Sequence, residues 1–378
     1  MIVYLLLTAF VLLTAFQVRA EEQTPYGAVI TKQYLYNRIA FAGMFLALFL
    51  VSALRINVGN DYATYVEFMH RIGAGFWNYV PTEVGFNALT AAVYALCGFE
   101  NYLLVFALFA AATCFCFLYA IFRLSDNIPV SIALFMLLGY YFQSISTVRY
   151  YLALSLAFVC VYYVLRGDAV RFLILTVCGA LFHKSMLVIL VLYPLARIRW
   201  RKWMYVLFAV LAVSCLFLQD VYLNLLVKLY PTYEDTVYLE GGTSLVNIIR
   251  CTAVLLFAFY AYRSELLESD DAALRFYYHA NLMALALYVF CSFLPVVSRI
   301  AYYLSVTQIV FLPMIVNAAG ERLGDGRKKK LQAALLLLAA CYFVFYMRGA
   351  AADGVRILPY QTFLFHEMPP ILSEMGTH

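Results

Sequence analysis

Residues 101–122 read NYLLVFALFAAATCFCFLYAIF, and no charged side chain interrupts them. An apolar stretch of about 20 residues is long enough to cross the ~30 Å hydrocarbon core of a bilayer as a helix. Twelve more apolar runs surround it, at about 2–18, 37–54, 84–98, 130–147, 149–165, 170–183, 185–197, 203–218, 245–262, 274–294, 299–317 and 331–347. The whole chain has the same character. Of 378 residues, 65% are hydrophobic, 17% aromatic and only 12% charged, with mean hydropathy +0.85. A soluble domain carries ~25% charged residues. A water-soluble enzyme, a disordered chain and a disulfide-stapled secreted module are therefore excluded. The expected fold is an all-α polytopic membrane protein, a single integral membrane domain over 1–378.

Charge sets the expected topology, because cytoplasmic loops are enriched in Lys and Arg. The net charge is +5. The segments Arg197–Lys202 and Arg327–Lys330 and the Arg166–Arg171 turn are basic, so they read as cytoplasmic. The loop 219–244 carries Asp220, Glu234, Asp235 and Glu240 against Lys228, and reads as external. Alternation from these anchors makes the loop 55–83 and the tail 348–378 external. It also puts Arg149, His183 and Arg299 near the outer ends of their helices. No basic region precedes the first run, so it reads as an uncleaved helix with the N-terminus outside. Runs 84–98 and 101–122 cannot both span and keep Arg123 inside. The shorter is expected to be re-entrant or a half-helix, leaving about 12 transmembrane helices.

The nine cysteines lie almost all within apolar runs and form no C-x-x-C pair, which suits packing. No metal-ligand spacing, Gly-rich phosphate loop or nucleophile elbow is present. No metal and no cofactor is expected. The basic run at 327–330 lacks interleaved aromatics, so no nucleic-acid partner is expected either.

Four polar clusters stand out against this background. The first is Arg55-Ile-Asn57-Val-Gly59-Asn60-Asp61-Tyr62 with Tyr65, continuing to Glu83-Val-Gly85-Phe86. Gly59 and Asn60 suit a turn of unusual backbone angles that aims Asp61 and Tyr62 back toward the membrane surface. The second is Gln143–Tyr151, with Arg149 and Tyr150. The third is Leu181-Phe182-His183-Lys184-Ser185, and the fourth Ser298-Arg299-Ile-Ala-Tyr302-Tyr303. Arginine offers phosphate oxygens a planar fork of two parallel bonds. Arg149 and Arg299, joined by Arg250 and His183, thus read as an anion site. The bland reading stays open for each: helix caps, a snorkelling arginine, an interfacial histidine, a tyrosine belt.

In order and spacing these clusters resemble the EpsG family of bacterial membrane proteins, related to the Wzy-type polysaccharide polymerases. The tail Ile357-Leu358-Pro359-Tyr360 fits the same family, while Asn60 and Tyr150 depart from its usual residues. The resemblance implies a GT-C-like glycosyltransferase architecture in the bacterial cytoplasmic (inner) membrane. It implies polymerisation of undecaprenyl-diphosphate-linked oligosaccharide repeat units on the outer face, for exopolysaccharide, capsule or O-antigen. The implied partners are that lipid-linked oligosaccharide and the bilayer, with a chain-length regulator and a flippase. Arg149, Arg299 and Arg250 would bind the diphosphate, and His183 would donate a further hydrogen bond. Asp61 or Glu83 would be the base, Asp61 being preferred because the turn aims it. Tyr62, Tyr65, Tyr150, Tyr302 and Tyr303 would contact sugar. Rival readings are a transporter or flippase of lipid-linked sugars, a membrane acyltransferase decorating the polysaccharide, and a structural assembly protein.

The topology has a direct check. A reporter fused at Phe99–Glu100 should score external, whereas a cytoplasmic score would rule out the re-entrant assignment of 84–98.

Overall fold

The computed structural model describes residues 1–19, 23–24, 27–28, 31–229, 244–263, 266, 269–294 and 297–368. These residues are helical apart from loops and a two-residue antiparallel pair, Gln23–Thr24 with Gly27–Ala28. The first ten α-helices are α1 (Ile2–Ala15), α2 (Lys32–Ala53), α3 (Tyr62–Gly73), α4 (Val84–Cys97), α5 (Tyr102–Leu124), α6 (Ile128–Leu137), α7 (Tyr140–Ser146), α8 (Val148–Arg166), α9 (Ala169–Ala180) and α10 (Leu192–Arg197). They are followed by α11 (Lys202–Phe217), α12 (Gln219–Leu229), α13 (Leu245–Tyr262), α14 (Ala272–Phe290), α15 (Val297–Ser305), α16 (Gln308–Leu323) and α17 (Asp325–Arg348).

Five of these, α2, α5, α8, α13 and α17, are long and apolar enough to cross a membrane. The number rises to eight if three bent pairs each count as one span: α6 with α7 at 43°, α11 with Gln219–Leu225 at 92°, and α15 with α16 at 41°. About twelve were expected. The difference has a physical origin, because several apolar runs are not converted into full-length helix. The runs 2–18 and 170–183 give helices of 14 and 12 residues, or roughly 18–21 Å at 1.5 Å per residue, and 84–98, not counted among the twelve, gives one of 14. The run 185–197 becomes a 3-10 segment, Lys184–Val191, followed by the six-residue α10. The expected external loop 219–244 opens with α12, and its residues 230–243 lie outside those described. So do residues 369–378 of the expected tail.

The chain divides into two compact units. The first comprises Met1–Val159, Val177–Lys184 and Lys329–His378, the second Cys160–Thr176 and Ser185–Lys328. In the first unit α1 buries Tyr4, Leu7, Val11 and Ala15, one face at helical spacing. The Tyr141 hydroxyl donates to the Leu48 carbonyl at 2.9 Å and accepts from Ser52 Oγ at 3.0 Å, tying α7 to α2. A non-helical segment after α17 returns to the loop that follows α2. Ile56 N–H donates to Gln361 O, Phe363 N–H to Leu54 O and Gly59 N–H to Arg356 O. Tyr360 donates to Val51 O at 3.0 Å, and Tyr4 to Ile357 O at 3.1 Å. The second unit contains a polar knot at the α15–α16 break. There Asn281 Nδ2 donates to Thr307 Oγ1 at 3.2 Å, and Gln308 Nε2 to Asn281 Oδ1 at 2.7 Å. In a water-free layer such bonds hold helices together, at ~0.6 kcal/mol each on average.

Gly59 explains why the first loop needs a glycine. Its φ is +111°, and a Cβ there would stand 2.6 Å from the Ile145 carbonyl oxygen. Gly59→Ala should therefore destabilise the first unit by about 1–3 kcal/mol from backbone strain alone, with a further cost from the clash. A thermal melt of the detergent-solubilised variant indistinguishable from the parent would contradict this account of the turn.

Candidate active site

In the first unit, the loop ahead of α3 is fastened by one buried cation. Arg55 is 2% exposed. Its Nε donates to Val58 O at 3.2 Å and its Nη1 to Ser52 O, so the guanidinium caps both the end of α2 and the turn. It also lies 5.2 Å from the Phe106 ring centroid and 5.8 Å from that of Tyr62, within cation–π range. Burial lowers its pKa, and the surrounding tyrosines oppose that shift. Arginine stays protonated in proteins, so a full positive charge sits beneath the loop. Asn60 N–H donates to Ser146 Oγ at 3.0 Å, which fixes the turn against α7. The turn sets Asp61 at the N-cap position of α3, where its side chain makes no capping bond.

Four residues later Tyr65 points its hydroxyl at Arg149 and bonds to it. Burial raises the Tyr65 pKa, the Arg149 charge lowers it and Asp61 raises it. Asp61 and Arg149 thus both act electrostatically on one phenol, which keeps its proton and accepts from Arg149. The Arg149 guanidinium lies 5.4 Å from the Tyr65 centroid and 5.6 Å from that of Phe86. Its Nη1 makes an ion pair with Glu83 Oε2. Its Nε is buried and makes no hydrogen bond among the described residues.

Glu83 occupies the N-cap position of α4 yet does not cap it. Instead Oε2 meets Arg149, and Oε1 accepts from the Lys184 backbone N–H at 3.2 Å. Two residues on, Gly85 N–H donates to the Leu181 carbonyl at 2.8 Å. A Cβ on Gly85 would lie 2.6 Å from that same oxygen. The Glu-x-Gly spacing therefore clamps α4 to the turn that ends α9 and carries His183. The His183 ring sits edge-on to Tyr150 at 5.4 Å.

The first unit thus brings together Asp61, Tyr65, Glu83, Arg149, Tyr150 and His183. The second contains Arg299, Arg250, Tyr302 and Tyr303. There the Arg250 guanidinium lies 5.4 Å from the Tyr302 centroid, and the Tyr303 and Ser185 hydroxyls are 2.9 Å apart. Stacking on sugar needs an accessible ring face. Tyr62, stacked on Phe106 at 4.3 Å, is 1% exposed, and Tyr65, Tyr150 and Tyr303 are likewise buried. Sequence reading missed the role of the Lys184 amide, which no side-chain pattern signals. It also left Arg55 without a function, although an arginine directly after an apolar helix and before a Gly-Asn turn is a usable signal. Among the described residues no group of three or more His, Cys, Asp or Glu could hold a metal ion.

The sequence model described as EpsG family matches residues 38–362. Among curated proteins and among solved structures none matches the chain.

The Glu83–Arg149 pair is partly buried, so its members should be energetically coupled. A double-mutant cycle with Glu83→Gln and Arg149→Gln, read by thermal unfolding in detergent, should give an interaction energy of about 1–3 kcal/mol. Additive effects would mean that the two side chains act independently.

Proposed function

The chain belongs to the EpsG family of Wzy-like polysaccharide polymerases, and from that membership we propose that it polymerises undecaprenyl-diphosphate-linked oligosaccharide repeat units. The product is an exopolysaccharide, a capsule or an O-antigen. The reaction runs on the outer face of the bacterial cytoplasmic membrane, in a GT-C-like architecture. The observation that carries the reading is the constellation around Arg149: a paired guanidinium, a buried Nε without an acceptor, a backbone amide and a histidine ring on one turn, and a carboxylate at the head of α3.

In the proposed reaction a hydroxyl of one lipid-linked unit attacks the anomeric carbon of the growing chain. The bond from that carbon to the diphosphate oxygen breaks, and the diphosphate leaves with the electron pair. The hydroxyl proton passes to a carboxylate. Stabilising the charge that develops on the leaving group contributes most where donors are already in place. We assign this to Arg149, aided by His183 from the adjoining turn; the family resemblance also gives Arg299 and Arg250 a diphosphate-binding role. Glu83 holds Arg149 and the Lys184 amide, so its role is to position the guanidinium. That leaves Asp61 as the base, close enough to the site to act on the same tyrosine as Arg149. Tyr65 keeps its proton and steadies Arg149.

Replacing the base should be the more informative test. Asp61→Asn should lower the rate of joining purified lipid-linked repeats by about 10²–10⁴-fold, while a capping role alone would leave the rate nearly unchanged. Arg149→Lys and Arg299→Lys keep the charge but lose the fork, so both should stop long-polymer formation. Full polymer length from both would exclude a diphosphate role for these arginines. In a strain lacking the protein, single lipid-linked repeats should accumulate on the outer leaflet; accumulation on the inner leaflet would indicate a flippase instead.

A further inference from the structure

At the far end of α3 from Asp61, the first unit contains a second recess that the polymerase chemistry does not use. It has a volume of about 390 Å³ and is lined by Glu67, His70, Arg71, Ala74, Phe76 and Tyr79. That volume falls within the ~300–1,000 Å³ of small-molecule sites. Its polar groups are fixed in place. Glu67 is 4% exposed, and its Oε1 accepts from Arg71 Nε at 2.8 Å, one helical turn away. His70 Nδ1 lies 2.9 Å from Glu100 Oε2. Glu100 itself lies over Gly73, where a Cβ would stand 2.6 Å from Oε1.

The rim is aromatic. Gly75, at φ +87°, ends the helix, and Phe76 N–H donates back to Arg71 O at 2.9 Å. A 3-10 turn, Trp77–Tyr79, follows. This turn displays its rings instead of burying them: Phe76 is 55% exposed and Tyr79 74%. The two rings meet edge to face at 6.3 Å. A single exposed aromatic needs no explanation, but here three in four residues stand beside a buried carboxylate and the exposed guanidinium paired with it.

We propose that this recess binds the saccharide portion of the substrate, with a sugar ring lying on Phe76 and Tyr79 and its hydroxyls bonded by Glu67 and Arg71. A pyranose matches the recess on both counts. Its C–H face is apolar and suits a ring, and its vicinal hydroxyls suit planar charged groups that offer two acceptors or two donors. From Asp61 to Arg71 the helix advances about 15 Å at 1.5 Å per residue. The recess therefore grips a sugar some rings away from the one that reacts. The proposal rests on the polymerase reading and adds a holding subsite to it.

Oligosaccharide fragments released by mild acid from the strain's own polymer, free of lipid and diphosphate, serve as the probe. Binding to the detergent-solubilised full chain is read by Trp fluorescence, since Trp77 adjoins the rim. The parent should bind the fragments. Phe76→Ser, Tyr79→Ser and Glu67→Gln should each weaken binding at least tenfold and shorten the polymer made in cells. No binding by the parent, or equal binding by all three variants, would overturn the subsite. So would variants that insert poorly into membranes but, once folded, bind as the parent does, because the rings would then be an interfacial belt. Arg149→Lys separates the two readings. If it binds fragments normally but makes no polymer, both stand; if it binds fragments normally and makes full polymer, the subsite stands and the assigned chemistry falls.

Discussion

Glu83 is held from two sides, by the Arg149 guanidinium and by the Lys184 backbone N–H. The polar face of the first unit is arranged around that carboxylate. One partner belongs to α8, the other to the turn after α9, and Glu83 itself stands at the head of α4. Three helices that share little sequence are thereby brought to a common point. Removing one member of a partly buried ion pair leaves the other charge without compensation, which costs more than the pair contributes when intact. The same logic explains the neighbouring glycine. Gly85 lets the α4 backbone approach the Leu181 carbonyl, and only that approach brings Glu83 within reach of the Lys184 amide. Packing and electrostatics are thus two consequences of one close contact.

Arg55 works in the opposite direction from Arg149. Its charge is enclosed by carbonyls and aromatic rings, so it organises backbone, while its Nη2 is buried without a hydrogen-bond partner among the described residues. Two arginines at helix ends, each with tyrosine rings near its guanidinium, thereby acquire different duties. What separates them is the company of a carboxylate. Arg149 has Glu83, which keeps its guanidinium oriented toward one edge, whereas Arg55 meets only the carbonyl ends of α2 and of the turn.

Much of this was legible in the sequence. The absence of charge in residues 101–122 fixed the class, and α5 covers that run. The clusters around Asp61, Glu83, Arg149 and His183 converge within the first unit, as their mixed polar types in an apolar chain suggested. Span number was less legible, because hydropathy records apolar surface and not helix length. The run 170–183 counts as a span by hydropathy but gives a helix that stops at the turn before His183. Whether a tyrosine shows its ring to solvent was not legible at all. Tyr62 and Tyr79 both fall within the expected loop 55–83, yet Tyr62 opens α3 and stacks on Phe106 of α5 while Tyr79 lies open in the 3-10 turn. Hydrogen bonds from the backbone, such as that of Lys184, leave no trace in residue types.

The strap formed by residues 350–366 has a consequence for how the molecule is made. Tyr4 and the Ile357 carbonyl that it bonds are 353 residues apart in the chain, and Asn57 and Arg356 are 299 apart. At synthesis rates of ~5–20 residues per second, the second partner of the Tyr4 bond leaves the ribosome roughly 20–70 s after the first. During that interval the Gly59 amide and the Asn57 side chain lack the partners that Arg356 later supplies. The loop bearing Asp61 therefore reaches its final shape only when the last helix has already been inserted. A nascent chain holds Asp61 and its neighbours before their arrangement is complete, so the first unit matures by closing a circuit between segments about 300 residues or more apart.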